Sequence, residues 1–355
     1  MDGEAVLRRG FLQATLLLVH MCLFLPAAAD AAGRTFVDSA GRTVELPEHV
    51  DRVLAAGPPA SVLLYAIAPE KMVGWVREPS AREKEFLASP YRDLPAYGRL
   101  TGKGNTANLE MVLSLKPDLI IDVGTVDPTY ASLADRVQEQ TGIPYVLVDG
   151  SFAKTSETLR EVAGALGVPD RGEELALYAE SSRKELDTAL AEIPALERPR
   201  VYYGRGPKGL ETGLAGSINT EILGMVGVQN VAGAAGKGGL ANVSVEQVLA
   251  WNPDVILALD PEFKSAIARD PSWAGVAAVK AGRVYLSPTL PFGWFDSPPG
   301  INRLIGVPWL LSVLYPGKFP VDLAVRTRSF YKLFYHVDLT DQQLDALLAD
   351  SRPKP

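Results

Sequence analysis

The sequence predicts an α/β protein of two lobes, each with a mostly parallel sheet flanked by helices, joined by one long connector helix. Three observations carry this expectation. First, the segment Asn108-Leu109-Glu110-Met111-Val112-Leu113-Ser114-Leu115-Lys116-Pro117-Asp118-Leu119-Ile120-Ile121 returns as Ser244-Val245-Glu246-Gln247-Val248-Leu249-Ala250-Trp251-Asn252-Pro253-Asp254-Val255-Ile256-Leu257. Each copy reads as a polar cap, a short helix with Glu at its second residue, a Pro-Asp turn and a buried strand. The copies stand much farther apart than the roughly 20 to 50 residues of a repeat array, so a duplicated domain accounts for them better than a solenoid. Second, short apolar runs alternate with helix-like stretches, the pattern of a parallel sheet covered by helices. Third, a long amphipathic stretch lies between the two copies.

Taken in order, the chain opens on a targeting signal. Arg8 and Arg9 precede an apolar run, and Pro26-Ala27-Ala28-Ala29-Asp30-Ala31-Ala32 supplies small residues for cleavage. Residues 1–31 therefore read as a signal peptide and the mature protein as periplasmic. Arg8-Arg9-Gly10-Phe11-Leu12 also fits a twin-arginine signal, so both export routes stay open. Cys22, the one cysteine of the 355 residues, sits inside the apolar run after His20-Met21, without the small residue that a lipid-anchored cysteine needs. Cleavage leaves no disulfide, thiolate ligand or cysteine nucleophile.

The polar leader 37–46 is followed by apolar runs at 52–56, 72–76, 119–123 and 145–148, which define a first lobe over 34–150. The connector falls in 151–198, where Leu175, Tyr178, Leu186 and Leu190 lie near one stripe of a helix. A second lobe over 199–355 begins with the strand 200–203 and contains further strands at 255–259 and 284–286. In its tail Phe330, Tyr331, Phe334 and Tyr335 recur at helical spacing and read as a packed helix rather than a cofactor box.

Composition and motifs narrow the function. With 35 basic and 42 acidic residues and a net charge of −7, the chain is a poor partner for nucleic acid or an anionic membrane. Gly204-Arg205-Gly206-Pro207-Lys208-Gly209 fits G-x-G-x-x-G after a strand, but no helix follows to hold a pyrophosphate. Between Gly98 and Gly102-Lys103 the spacing is one residue short of a P-loop, and Gly104 stands where a Mg²⁺-binding hydroxyl belongs. His49 and His336 are isolated and G-x-S-x-G is absent, so no catalytic residue, cofactor or protein-bound metal is expected. Any metal would arrive inside a chelate or as an oxyanion.

The paired N-x-E-x-V-L-x-x-x-P-D-[LV]-I segments, the Tyr97-Gly98 loop, the connector and the exported N-terminus together resemble the substrate-binding proteins of iron-siderophore, haem and cobalamin ABC importers. The resemblance spans the mature chain. It implies two lobes that hinge little, and it implies that Glu110 and Glu246 dock onto arginines of a permease dimer in the inner membrane. A carboxylate in the first turn of a helix is stabilised by the helix dipole and stays exposed for a guanidinium partner, which agrees with that role. Relatives that hold naked zinc or manganese use histidines from both lobes, and this chain lacks them.

Ligands of open α/β sheets bind at the carboxyl ends of the strands. The candidate ligand residues are therefore Trp75, Arg77, Tyr97, Arg99, Lys103, Tyr203, Arg205, Trp294, Phe295 and Asp296. The arginines suit an anionic ligand, with Arg205 foremost, although each could instead be a solvated surface charge. Trp294, Phe295 and Asp296, flanked by prolines, suit a rigid amphipathic platform, although the two rings could instead belong to the core. The expected function is that of a monomeric periplasmic receptor that captures a metal chelate, foremost a ferric siderophore, and delivers it to the importer. Molybdate or tungstate, cobalamin and haem remain open as ligands, and an exported α/β enzyme is the alternative of another class.

Overall fold

The computed structural model describes residues 33–102, 106–319, 322–349 and 351. The expected signal peptide, residues 1–31, and Lys103 lie outside these residues. The first sheet has three parallel strands, Val53–Ala55, Leu119–Gly124 and Tyr145–Asp149, with Leu119–Gly124 in the middle. The second has four parallel strands in the order Val284–Leu286, Val255–Ala258, Arg200–Gly204 and Gln229–Asn230. Helices cover both faces of these sheets, which is why the strands are continuous apolar runs rather than alternating ones. Two short antiparallel pairs complete the strand set, Arg34–Val37 with Thr43–Leu46 and Glu211–Gly213 with Leu240–Asn242.

The duplicated segment forms the same unit twice. Asn108 caps helix Leu109–Leu115 by accepting from the Met111 N–H at 2.7 Å, and Ser244 caps Val245–Trp251 through the Gln247 N–H at 3.3 Å. Both helices leave through a left-handed residue, Lys116 at φ 48° and Asn252 at φ 41°. The Pro-Asp turn then does a specific job. The Asp118 carboxylate accepts the Arg52 N–H at 2.8 Å while its own N–H donates to the Arg52 carbonyl at 2.8 Å. Asp254 makes the same two bonds with Arg200, each at 2.8 Å. Arg52 and Arg200 in turn donate to the terminal carbonyls of the two helices, to Leu115 at 2.8 Å and to Trp251 at 2.6 Å. One arginine and one aspartate thus join cap, helix and two parallel strands in each lobe.

Between the sheets runs the connector helix Pro169–Ala191, 23 residues and therefore about 34 Å long. Gly172, Leu175, Ala176, Ala179 and Leu186 are its buried stripe, while Tyr178 and Leu190 are half-buried beside it. Gly172 is required by close packing, because a Cβ there would stand 2.4 Å from the Ala163 Cβ on helix Thr155–Ala165. No helix among the described residues is long and apolar enough to cross a membrane.

The C-terminal helices return to the first lobe. Phe330, Tyr331, Phe334 and Tyr335 are fully buried on helix Leu323–Tyr335, in agreement with the packed-helix reading. The Tyr65 hydroxyl of helix Pro58–Ile67 donates to the Tyr335 carbonyl at 2.5 Å, and the His336 ring meets the Tyr65 carbonyl at 3.0 Å. A buried arginine, Arg303, makes a second junction. Its guanidinium donates to the Gly150 carbonyl at 2.6 Å and to Glu221 at 2.9 Å, and Glu221 also accepts the Phe152 N–H at 2.9 Å.

Two stability outcomes follow. Arg303→Ala strands the Glu221 carboxylate and the Gly150 carbonyl, and should cost about 3–5 kcal/mol in urea denaturation. Asp118→Ala removes the acceptor of the Asp51 and Arg52 amides and Asp254→Ala that of the Arg200 amide, and each should lower the unfolding free energy by about 1–2 kcal/mol. A loss for only one of the pair would contradict the equivalence of the two units.

Candidate functional site

The strand ends of both sheets open on one cavity of about 560 Å³. Gly57 follows strand Val53–Ala55, Asp122 and Gly124 end the central strand, and Arg205 follows strand Arg200–Gly204, so each backbone turn delivers a side chain or an approach to the same space. This is the carboxyl-end position that open α/β sheets reserve for ligands.

On the second-lobe side Arg205 is held rather than free. Its Nε donates to Glu211 at 3.0 Å, and its Nη1 is bonded to the Tyr203 hydroxyl and paired with Asp296. Asp296 also accepts from the Asn219 amide at 2.8 Å, from its neighbour's N–H in Ser297 at 2.7 Å, and from Tyr203. Burial works against the Arg205 charge, but the facing Tyr203 and Asp296 outweigh it and raise its pKa. Burial, reinforced by Asp296, pushes the Tyr203 hydroxyl well above its ordinary range, so it stays a donor.

On the first-lobe side, Arg77 at the rim pairs with Glu83, one of the bonds being 2.8 Å, and Arg99 lines the wall nearby. Deeper in, the Asp122 carboxylate accepts from the Thr101 hydroxyl at 3.0 Å and from the Tyr145 hydroxyl at 3.1 Å. Burial pushes the Asp122 pKa up, against the lowering effect of those two bonds. Trp75 and Phe292 form the apolar wall, with ring centroids 6.1 Å apart.

Of the residues singled out from the sequence, Trp75, Arg77, Arg99, Arg205 and Asp296 line this cavity together. Tyr203 stands behind the lining and supports Asp296 and Arg205. Tyr97 is outside the lining, its ring packed over Gly74. Trp294 and Phe295 correct the platform expectation, because both have zero exposure. The Trp294 indole donates to the Tyr331 hydroxyl at 3.1 Å, and Phe295 stacks on Trp309, so the rings fill the second lobe's core. The aromatic that this loop does present is Phe292.

Ser61 and Asn219 line the cavity without any sequence expectation, whereas Thr101 and Asp122 belong to the strand-end stretches 97–105 and 122–125 from which a cleft is expected. For Asp122 a signal existed, since one acid interrupts the apolar run Leu119-Ile120-Ile121-Asp122-Val123. Glu110 and Glu246 are exposed, each the second residue of its duplicated helix. Hydrogen bonding to Ser244 lowers the Glu246 pKa, which keeps that carboxylate ionised. Among the described residues, no group of three or more His, Cys, Asp and Glu could hold a metal ion.

Two α/β lobes joined by a long helix, with a cleft at their strand ends, define a solute-binding protein. The match to the periplasmic binding protein family model extends over residues 75–289, and the chain belongs to that family. A solved ABC transporter solute binding protein from Sulfurospirillum deleyianum is 32% identical, superimposes with a TM-score of 0.81, and is matched over 89% of this chain and 99% of its own. The molybdate-binding protein MolA of Haemophilus influenzae is 29% identical over 346 residues, 90% of this chain and 95% of that protein. Its molybdate-bound structure superimposes with a TM-score of 0.72 at 26% identity, over 86% of this chain and 99% of that one. An Fe(3+)-citrate-binding protein of Bacillus subtilis is 26% identical over 189 residues, 52% of this chain and 58% of that protein. The protein is accordingly a substrate-binding protein of the ABC transporter type and not an enzyme.

Proposed function

We propose that this protein is the extracytoplasmic receptor of an ABC importer for a tetraoxo anion of the molybdate class. The observation that carries the reading is a single cleft with Arg77, Arg99 and Arg205 in its walls, contributed by both lobes. Guanidinium groups present paired N–H donors that match oxyanion geometry. Arg205 is pre-oriented by Glu211 and Asp296, and its Nη2 lies outside those bonds. Orientation in advance lowers the entropy lost on binding. The similarity to MolA over nearly the whole of both chains supports the same ligand class. This choice replaces the ferric siderophore as the foremost ligand.

A second reading rests on size. A cavity of about 560 Å³ falls in the range of organic ligands and exceeds a tetraoxo anion several-fold. The Trp75 and Phe292 wall would then cover the apolar face of a ferric chelate with carboxylate or catecholate arms. For delivery, Glu110 and Glu246 supply one exposed carboxylate from each lobe to the two subunits of a permease dimer.

Thermal unfolding with molybdate, tungstate, sulfate, ferric citrate, a ferric siderophore, haem and cobalamin separates these readings. A ligand at a hundred times its Kd adds about 2.7 kcal/mol to stability. Stabilisation by molybdate and tungstate is expected; stabilisation by ferric chelates alone would move the protein to the second reading, and none by any ligand would overturn both. For docking, the double variant Glu110→Ala/Glu246→Ala should abolish uptake into cells while ligand affinity stays unchanged. A parallel loss of affinity would displace these residues from the permease contact.

A further inference from the structure

A recess in the first-lobe wall holds a polar atom that the fold itself does not use. Ser61, in the first turn of helix Pro58–Ile67, lines the cavity, is 2% exposed, and its hydroxyl has no hydrogen-bond partner. A buried hydroxyl that no protein group engages is costly, and in a binding cleft it can donate to a ligand. Thr101 and Asp122 line the same cavity. Gly57, the residue that precedes the helix, brings its backbone so close that a Cβ there would stand 2.5 Å from the Thr101 Oγ1 and 3.7 Å from the Asp122 Oδ1. One turn on, the Ser61 N–H donates to the Gly57 carbonyl at 3.0 Å, so the helix start carries Ser61 into the cavity that Thr101 and Asp122 also line.

For an anion this space contains a contradiction. The helix start and a free hydroxyl favour negative charge, yet Asp122 already supplies it. Among the described residues no basic side chain pairs with Asp122; its partners are the Thr101 and Tyr145 hydroxyls. The other charged or titratable groups around it are Tyr130 from helix Pro128–Thr141, Arg42 acting behind Tyr145, and Arg99 on the cavity wall. Across the cleft stands Arg205, which is already engaged by Asp296. A second anion entering beside an ionised Asp122 meets like charge with little screening, unless a proton comes with it.

We infer that the recess is the anion subsite of the cleft and that one proton is held between Asp122 and a ligand oxygen in the complex, with Ser61 donating a second hydrogen bond. No covalent bond changes; the proton comes from solvent and returns on release. This rests on the oxyanion reading above. The raised pKa of Asp122 agrees in direction, because burial has already made its protonation easier. At pH values below the carboxyl's free pKa the proton is present before the ligand arrives. Above it, binding must take the proton up, and affinity falls by about tenfold per pH unit.

Calorimetric titration of the full chain with sodium molybdate, in buffers of different ionisation enthalpy, tests this directly. The expected result is uptake of about one proton per molybdate above the carboxyl's free pKa, fading toward acid pH. Asp122→Asn should bind molybdate with no proton uptake and a flat pH profile, since an amide cannot titrate. Tyr145→Phe removes one donor to the carboxylate and should move the bend in the affinity curve to higher pH. Binding by the wild type without proton uptake, persistence of uptake in the Asn variant, or an unmoved bend in Tyr145→Phe would each overturn the inference. Failure of molybdate to bind the wild type at any pH would instead overturn the oxyanion reading, and this inference with it.

Discussion

The cleft depends on one buried charge. Arg303 is 1% exposed and joins three stretches of chain: the segment after strand Tyr145–Asp149, helix Glu221–Met225, and its own helix Arg303–Leu314. Burial disfavours the guanidinium charge, and the facing Glu221 opposes that cost. Glu221 is simultaneously fixed by the Phe152 N–H of the first lobe. Such a pair tolerates little displacement, because any shift leaves a desolvated charge without its partner. Together with the helix Leu323–Tyr335 returning onto helix Pro58–Ile67, it sets the two walls of the cleft at a defined separation.

The duplication was legible because each of its residues answers to local backbone chemistry. Asn108 and Ser244 cap helices, Lys116 and Asn252 turn the chain through a left-handed conformation, and Asp118 and Asp254 bridge parallel strands. The caps and Pro-Asp turns depend on neighbours close in sequence, so spacing alone reveals them, whereas the bonds of Asp118 and Asp254 reach 66 and 54 residues back to the adjacent strand and had no such signal. The roles of Arg52 and Arg200 stayed hidden, since a basic residue before a strand has no signature of its own. The aromatic loop was harder still. Phe292, Trp294 and Phe295 share composition and near-neighbour context, yet only Phe292 reaches the cleft. What separates them is the Tyr331 hydroxyl and the Trp309 ring, supplied by the helices Leu323–Tyr335 and Arg303–Leu314 that follow the loop.

The arginines illustrate a related limit. Reading residues singly, Arg77 and Arg205 look like free cations awaiting an anion. In the fold each already faces a carboxylate, Glu83 for one and both Glu211 and Asp296 for the other. The cleft is therefore a set of oriented charge pairs rather than a plain positive hole. Such an arrangement discriminates by geometry: a ligand must offer oxygens where the guanidinium donors remain unused, and it must satisfy them at least as well as water does.

The two halves differ where this asymmetry is needed. Aligning the duplicated strands places Leu119, Ile120 and Ile121 on Val255, Ile256 and Leu257, residues that are fully or almost fully buried and do the same packing work in both lobes. The next position breaks the match, with Asp122 in the first lobe and Ala258 in the second. It is there that the first-lobe strand meets the cleft. The outward-facing Glu110 and Glu246 keep the equivalence, as a two-fold partner would require, while the inward-facing strand end abandons it. At the inner strand end the first lobe thus offers a buried carboxyl where the second offers only a methyl group. Symmetry outside and asymmetry inside therefore come from one duplicated unit, through a change of residue at the point where scaffold becomes binding site.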